Sequence, residues 1–162
     1  MAIEIERRFL IKNDTWRQAC LEEPLTIQQG YLARGDFFVL RIRVIDDYAK
    51  LTLKSKKTGN ELYEYEYSIP VQDAREMLNT IEPRQRIEKK RYHCMHNGKL
   101  WEIDEFFGEN AGLYVAEIEL DHSNEAFSFP DWVGKEITDD EDFSNYALSL
   151  RPYARRQEEQ VG

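Results

Sequence analysis

Phe38-Val39-Leu40-Arg41-Ile42-Arg43-Val44-Ile45 alternates apolar and charged side chains, which in an extended chain puts both arginines on one face and Leu40, Ile42 and Val44 on the other. The same two-faced pattern returns at Ile3–Phe9, Thr26–Leu32, Lys50–Ser55, Leu62–Ile69, Ile87–Cys94, Leu100–Phe107 and Tyr114–Asp121. Eight strands are therefore predicted. Arg34-Gly35-Asp36, Thr58-Gly59-Asn60 and Asn97-Gly98 lie between them, each offering a residue that tolerates positive φ, so neighbouring strands should run antiparallel. Helical spacing is confined to Asp14–Glu23, Asp73–Ile81 and Phe143–Leu150, each stopped by a following proline, Pro24, Pro83 or Pro152. The predicted fold is α+β but mainly β: a closed eight-stranded antiparallel barrel, whose closure removes unpaired edges, with a few surface helices.

The charges on these strands are segregated by sign. Glu4/Glu6, Glu64/Glu66, Glu102/Asp104 and Glu117/Glu119 are acidic pairs, and Arg41/Arg43 and Lys89/Arg91 are basic pairs. Residues at i, i+2 on one face stand only about 7 Å apart, where like charges repel. A face serving solubility alone would mix its signs. Carboxylate pairs suit a hard divalent cation, and arginine suits phosphate oxygens. The pattern predicts a barrel turned inside out, with a cation-binding wall and a phosphate-binding wall around a linear triphosphate. On Ile87–Cys94 the period alone does not choose between the Lys89/Arg91 face and the Glu88, Lys90, Tyr92 face. The stripe Tyr63, Tyr65, Tyr67 is expected outside, packed under a helix.

The chain has 162 residues, a net charge of −9, and 8 Phe, 9 Tyr and 3 Trp, enough for a core in one domain. That domain is expected over 1–153, followed by a polar tail at 154–162. The acidic balance argues against a nonspecific nucleic-acid binder. No apolar run approaches a membrane span, and charges interrupt MAIEIERRFL where a signal peptide needs an unbroken apolar stretch. No membrane partner and a cytoplasmic location are expected. Cys20 and Cys94, without a CxxC spacing, read as two buried thiols. His93, His96 and His122 match no triad or metal spacing and are expected at the surface or in hairpins. There is no P-loop motif.

Glu4-Ile5-Glu6-Arg7-Arg8-Phe9 resembles the ExExK signature of the CYTH superfamily, the triphosphate tunnel metalloenzymes. Gln29-Gly30-Tyr31-Leu32, Leu40-Arg41-Ile42-Arg43, Leu51-Thr52-Leu53-Lys54, Tyr63-Glu64-Tyr65-Glu66, Glu88-Lys89-Lys90-Arg91-Tyr92, Trp101-Glu102-Ile103-Asp104-Glu105-Phe106 and Ala116-Glu117-Ile118-Glu119-Leu120 follow in that family's order, through Asn145-Tyr146-Ala147-Leu148. The resemblance covers nearly the whole chain. It implies a tunnel that binds a small-molecule triphosphate with a divalent metal, Mg²⁺ or Mn²⁺. It further implies that Glu4, Glu6, Asp104, Glu117 and Glu119 face metal, supported by Glu64, Glu66 and Glu102. Arg8, Arg41, Arg43, Lys54, Lys89 and Arg91 would hold phosphate. Similar short bacterial members hydrolyse inorganic tripolyphosphate to pyrophosphate and phosphate with a Lys/Tyr pair. Tyr31 matches the tyrosine, while Arg8 stands where the lysine belongs, giving Tyr31 and Arg8 as the implied catalytic pair. Arginine keeps its proton at working pH, so Arg8 supplies charge and cannot act as a base. The resemblance also admits an adenylate cyclase of class IV type or a thiamine triphosphatase. Arg8 favours a third alternative, a noncatalytic polyphosphate or nucleotide sensor.

Overall fold

Nine strands are joined into one continuous antiparallel sheet in the computed structural model, which describes residues 3–58, 61–154 and 156. They are β1 (Ile3–Ile11), β2 (Leu25–Arg34), β3 (Phe38–Ile45), β4 (Tyr48–Thr58), β5 (Glu61–Ile69), β6 (Ile87–His96), β7 (Lys99–Phe106), β8 (Tyr114–Glu119) and β9 (Val133–Glu136). The Gly59-Asn60 part of one expected turn, and positions 155 and 157–162 of the expected polar tail, lie outside the described residues.

The barrel closes where β1 meets β5 through Ile3↔Tyr63, Glu4↔Leu62 and Ile5↔Glu61. On its other edge β1 pairs β8 from Glu6↔Glu119 to Leu10↔Val115. The eight predicted strands thus form the closed barrel. The unpredicted strand, β9, pairs with Phe9 and Ile11 where β1 runs past β5. It escapes the pattern because Val133-Gly134-Lys135-Glu136 is short, contains glycine and buries only Val133. The β6–β7 hairpin turns through Asn97 (φ 47°) and Gly98 (φ 76°), both left-handed, the twist that a two-residue hairpin needs.

Alternation along the strands builds two apolar layers outside the barrel and one within it. Outside, Phe9, Trp101, Ile103 and Ile118 pack with Trp16 and Trp132. On the opposite flank α1 (Val71–Asn79) lays Ala74 and Leu78 on Ile42, Val44 and Ala49. Gly30 permits this approach, since a Cβ there would meet Ile81 Cδ1 at 2.5 Å. On the inward faces, beyond the charged pairs, Ile87, Phe106, Leu113 and Val115 gather with Ile137 and with Leu148 of α2 (Asn145–Leu150). An apolar plug therefore fills part of the interior that the charge pattern alone suggests is polar.

Three expected details are corrected. Asp14–Glu23 is a 3-10 turn at Asp14–Ala19 followed by a bridge from Cys20 to Cys94, because Trp16 is the residue that this turn buries in the core. The helix expected at Asp73–Ile81 starts earlier, at Val71 directly after Pro70. Tyr63, Tyr65 and Tyr67 do face outward but not under a helix: α1 crosses the neighbouring surface, and Tyr67 is 63% exposed. Among the described residues no helix is long and apolar enough to cross a membrane.

Candidate active site

A cavity of about 870 Å³ opens inside the barrel, and four of the six same-sign pairs line it with both members. β1 contributes Glu4, Glu6 and Arg8, β3 Arg41 and Arg43, β5 Glu64 and Glu66, and β8 Glu117 and Glu119. Tyr31, Lys54, Arg91 and Glu102 complete the predicted set that lines it. β6 uses the Lys89/Arg91 face, which resolves the ambiguous period. Lys89 and Asp104 are fully buried in these inward faces without lining the cavity.

Oppositely charged walls meet along one seam. Arg8 Nε donates to Glu117 Oε1 at 3.0 Å, and its Nη1 donates to the Phe143 carbonyl at 2.9 Å. Arg91 grips Asp104 with two hydrogen bonds, Nε to Oδ1 at 2.8 Å and Nη2 to Oδ2 at 3.0 Å, and reaches Glu102 at 3.2 Å. Lys89 Nζ donates to Asp104 Oδ2 at 2.7 Å and to Asn145 Oδ1 at 3.1 Å. On the β3–β4–β5 side Lys54 Nζ lies 2.9 Å from Glu4 Oε2 and 3.4 Å from Glu64 Oε2, and Arg41 Nη2 lies 3.5 Å from Glu66 Oε2. Tyr31 stands edge-on to Tyr146 with ring centroids 5.3 Å apart.

Protonation follows from these contacts. Burial alone raises a carboxyl pKa, but Arg8 and Arg91 overcome it at Glu117 and hold that group to about 2. Arg91 and Lys89 likewise outweigh burial and hold Asp104 well below the usual range. Glu6 goes the other way: burial and the neighbouring Glu117 and Glu4 carboxylates push it up to about 8. Burial and then the Glu4 and Glu102 charges raise Glu119 too. Burial, with Arg91 and Arg43 nearby, brings Lys89 down to about 7 despite Asp104.

Two kinds of unmet demand remain. Arg8 Nη2, Arg41 Nε and Gln29 Nε2 are buried donors without a hydrogen-bond partner among the described residues, and a buried unpaired donor costs about 1–3 kcal/mol. On the acidic side, Glu6 and Glu119 face each other in register between Glu4 and Glu117, and their raised pKa values mark an excess of negative charge. These oxygen donors fit a hard divalent cation. Among the described residues no three carboxylates, imidazoles or thiols already form a metal cage. Asp104 pairs with Lys89 and Arg91, Glu102 with Arg91 and His93, Glu4 with Lys54 and Glu117 with Arg8, while Glu6 and Glu119 face each other between the last two.

Three site residues escape the charge pattern. Gln29 is neutral, so its wholly buried contact with Arg43 leaves no mark in a charge count. Asn145 comes from α2 and not from a strand. His93, expected at the surface, is half-buried on the inward face with Nε2 3.4 Å from Glu102 Oε2. Its position two residues beyond Arg91 is the signal that finds it.

Comparison with known proteins agrees with this geometry. The CYTH domain family model matches residues 2–147. The chain is 41% identical over 153 residues to an inorganic triphosphatase of Acetivibrio thermocellus, covering 94% of this chain and 97% of that protein. It is 36% identical over 151 residues to an inorganic triphosphatase of Nitrosomonas europaea, covering 91% and 97%. A crystal structure of an inorganic triphosphatase superposes with a TM-score of 0.66 at 35% identity, over 93% of this chain and 96% of that one. A conserved protein of Pyrococcus furiosus, at 21% identity and TM-score 0.56 over 75% of this chain and 80% of its own, shares the fold.

Proposed function

The chain belongs to the CYTH domain family, and from that membership we propose that it is an inorganic triphosphatase, splitting tripolyphosphate into pyrophosphate and phosphate inside the barrel. The observation that carries this reading is the set of buried guanidinium donors, Arg8 Nη2 and Arg41 Nε, that no acceptor among the described residues meets. A closed barrel that buries such donors beside a cavity of this size is suited to an anion rich in oxygen acceptors.

In this reading Arg8, Arg41, Arg43, Lys54 and Arg91 bind and straighten the phosphate chain. Lys89 stands behind them within the wall, held by Asp104 and Asn145. Glu4, Glu6, Glu117 and Glu119 would hold a divalent cation, Mg²⁺ or Mn²⁺, with Glu64, Glu66 and Glu102 tuning the cations around them. When bound, that ion would neutralise and polarise phosphate oxygens and lower the pKa of its water. Tyr31, fixed edge-on by Tyr146, and Arg8, fixed by Glu117 and Phe143, are the residues proposed to touch the reacting phosphate. Arg8 stabilises developing charge without moving a proton, which suits a reaction governed by positioning and charge.

The test is phosphate release from tripolyphosphate, pyrophosphate, thiamine triphosphate and ATP with Mg²⁺, Mn²⁺ or Ca²⁺, with cyclic AMP followed in parallel. Tripolyphosphate turnover dominant with Mg²⁺ or Mn²⁺ supports the proposal. Cyclic AMP as main product, or tight binding of every compound without turnover, overturns it.

A further inference from the structure

Gln29 and Arg43 face each other in register across β2 and β3, and Arg43 Nε donates to Gln29 Oε1 at 2.7 Å. Gln29 is 0% exposed and Arg43 7%. The contact sets the amide's orientation without ambiguity. A guanidinium N–H only donates, so the carbonyl oxygen must face it, and Nε2 is left as a buried donor that no described residue accepts.

What sets Arg43 apart is the charge of its partner. Arg8, Arg41, Lys54, Lys89 and Arg91 each have a carboxylate oxygen within 4.0 Å. Arg43 has none at that distance among the described residues; its closest fixed acceptor is a neutral amide. Burial and the nearby Arg41 and Arg91 charges bring Arg43 down to about 9, still charged at neutral pH. Asp104 acts on Arg43 only from beyond that distance, and a buried cation with no counter-ion in contact is costly, a cost recovered when an anion arrives.

We propose that Gln29 is a positioning residue whose neutral carbonyl fixes the Arg43 guanidinium on the cavity wall while leaving its charge uncompensated for a phosphate group of the ligand. The inference rests on the triphosphatase reading, and it assigns the phosphate affinity of the site in good part to a residue that carries no charge. A glutamate at 29 would hold Arg43 equally well but would cancel its charge, so anchoring and affinity separate.

The experiment compares the native chain with Gln29→Glu and Gln29→Met in steady-state hydrolysis of tripolyphosphate, alongside thermal unfolding. Gln29→Glu is expected to raise KM at least fivefold, with kcat within about threefold and a melting temperature not below that of the native chain. A merely structural glutamine would give the opposite pairing: unchanged KM, or a KM that worsens only as the melting temperature falls. Either result overturns the proposal. Gln29→Met removes the acceptor without adding charge. Its effect on KM should be present in the native chain and absent in an Arg43→Met background, and equal effects in both backgrounds overturn the assignment. If Gln29→Glu does not fold, this second comparison decides. A native chain that turns over no tripolyphosphate defeats the triphosphatase reading itself, an outcome distinct from active enzyme with an indifferent Gln29.

Discussion

Arg8 and Glu117 stand directly opposite each other on β1 and β8, joined by a 3.0 Å hydrogen bond inside the barrel. Arg8 also serves the Phe143 carbonyl, so one guanidinium ties the acidic wall to the segment that caps the cavity. Lysine keeps the charge but not this fork. Arg8→Lys should therefore change kcat/KM by no more than about tenfold, or ~1.4 kcal/mol in barrier. Arg8→Met should lower the melting temperature and abolish turnover, because it removes the hydrogen-bonded partner of buried Glu117 and leaves only the more distant Arg91, 3.8 Å away, a loss of up to about 3–5 kcal/mol in comparable sites. A rate gain well beyond tenfold in Arg8→Lys, with a new alkaline limb in the pH profile, would show that the position works best as a titrating amine.

Glu6→Gln separates folding from cation binding. Burial beside Glu117 and Glu4 raises Glu6 to about 8, so at neutral pH folding must neutralise the group, and the neutral isostere should raise the melting temperature in chelator. The same change removes a charged oxygen ligand, and the Mg²⁺ concentration giving half-maximal turnover should rise at least tenfold, a cost of ~1.4 kcal/mol. Metal dependence that stays unchanged would remove Glu6 from the cation site.

Much of this architecture is legible in the residues themselves. Arg41/Arg43 and Glu117/Glu119 announce an inward polar face because their partners at odd or even offset, Ile42 and Ile118, are wholly apolar. The pattern fails where chemistry is carried by something other than charge or period. Lys90 and Glu88 flank Lys89 and Arg91 with charges of their own, so β6 hides its facing until Asp104 claims both cations. Ile87, Phe106 and Val115 share their faces with charged residues, and an apolar plug beside a polar tunnel breaks the uniform-face assumption. Gln29 and Asn145 act through amide carbonyls, and β9 is held by backbone pairing to β1 that four residues cannot advertise.

The edge where β9 joins β1 should weaken in acid. Arg7 holds Glu136 with two hydrogen bonds, Nε to Oε2 at 2.8 Å and Nη2 to Oε1 at 2.6 Å, and this keeps the Glu136 pKa below 4.5. A depressed carboxylate contributes its stability above the unfolded pKa and loses it as pH falls through the folded one. The side chains are 29% and 38% exposed, so the contribution is at most about 1 kcal/mol. Melting temperatures of the native chain and Glu136→Gln should differ at pH 7 and converge below about pH 4. A difference that persists in acid would assign the effect to packing.

Cys20 and Cys94 should be joined by a mild thiol oxidant. They form a bridge pair with Sγ atoms 3.6 Å apart, and Leu21 N donates to the His93 carbonyl, as in a non-hydrogen-bonded pair. Such pairs have Cα atoms about 4.5 Å apart, within disulfide range. Treatment with diamide should take two protons and two electrons from the thiols, reducing the diazene to its hydrazine. Burial and the Cys20 contact push Cys94 up to about 12, so the half-buried Cys20 should react first. Loss of two hydrogens by mass spectrometry, absent in Cys20→Ser and Cys94→Ser, is the expected result. Two thiols still titratable in the folded, treated chain would show that the pair cannot close.

The central claim is that the charged interior of the barrel holds the triphosphate, and a crystal structure with tripolyphosphate and Mn²⁺ tests it most directly. The phosphate chain should lie in the cavity with oxygens on Arg41, Arg43 and Arg91, and the anomalous Mn²⁺ signal should fall between those oxygens and the carboxylates of Glu4, Glu6, Glu117 and Glu119. A phosphate chain bound outside the barrel, or inside it without contact to Arg41, Arg43 and Arg91, would contradict the account.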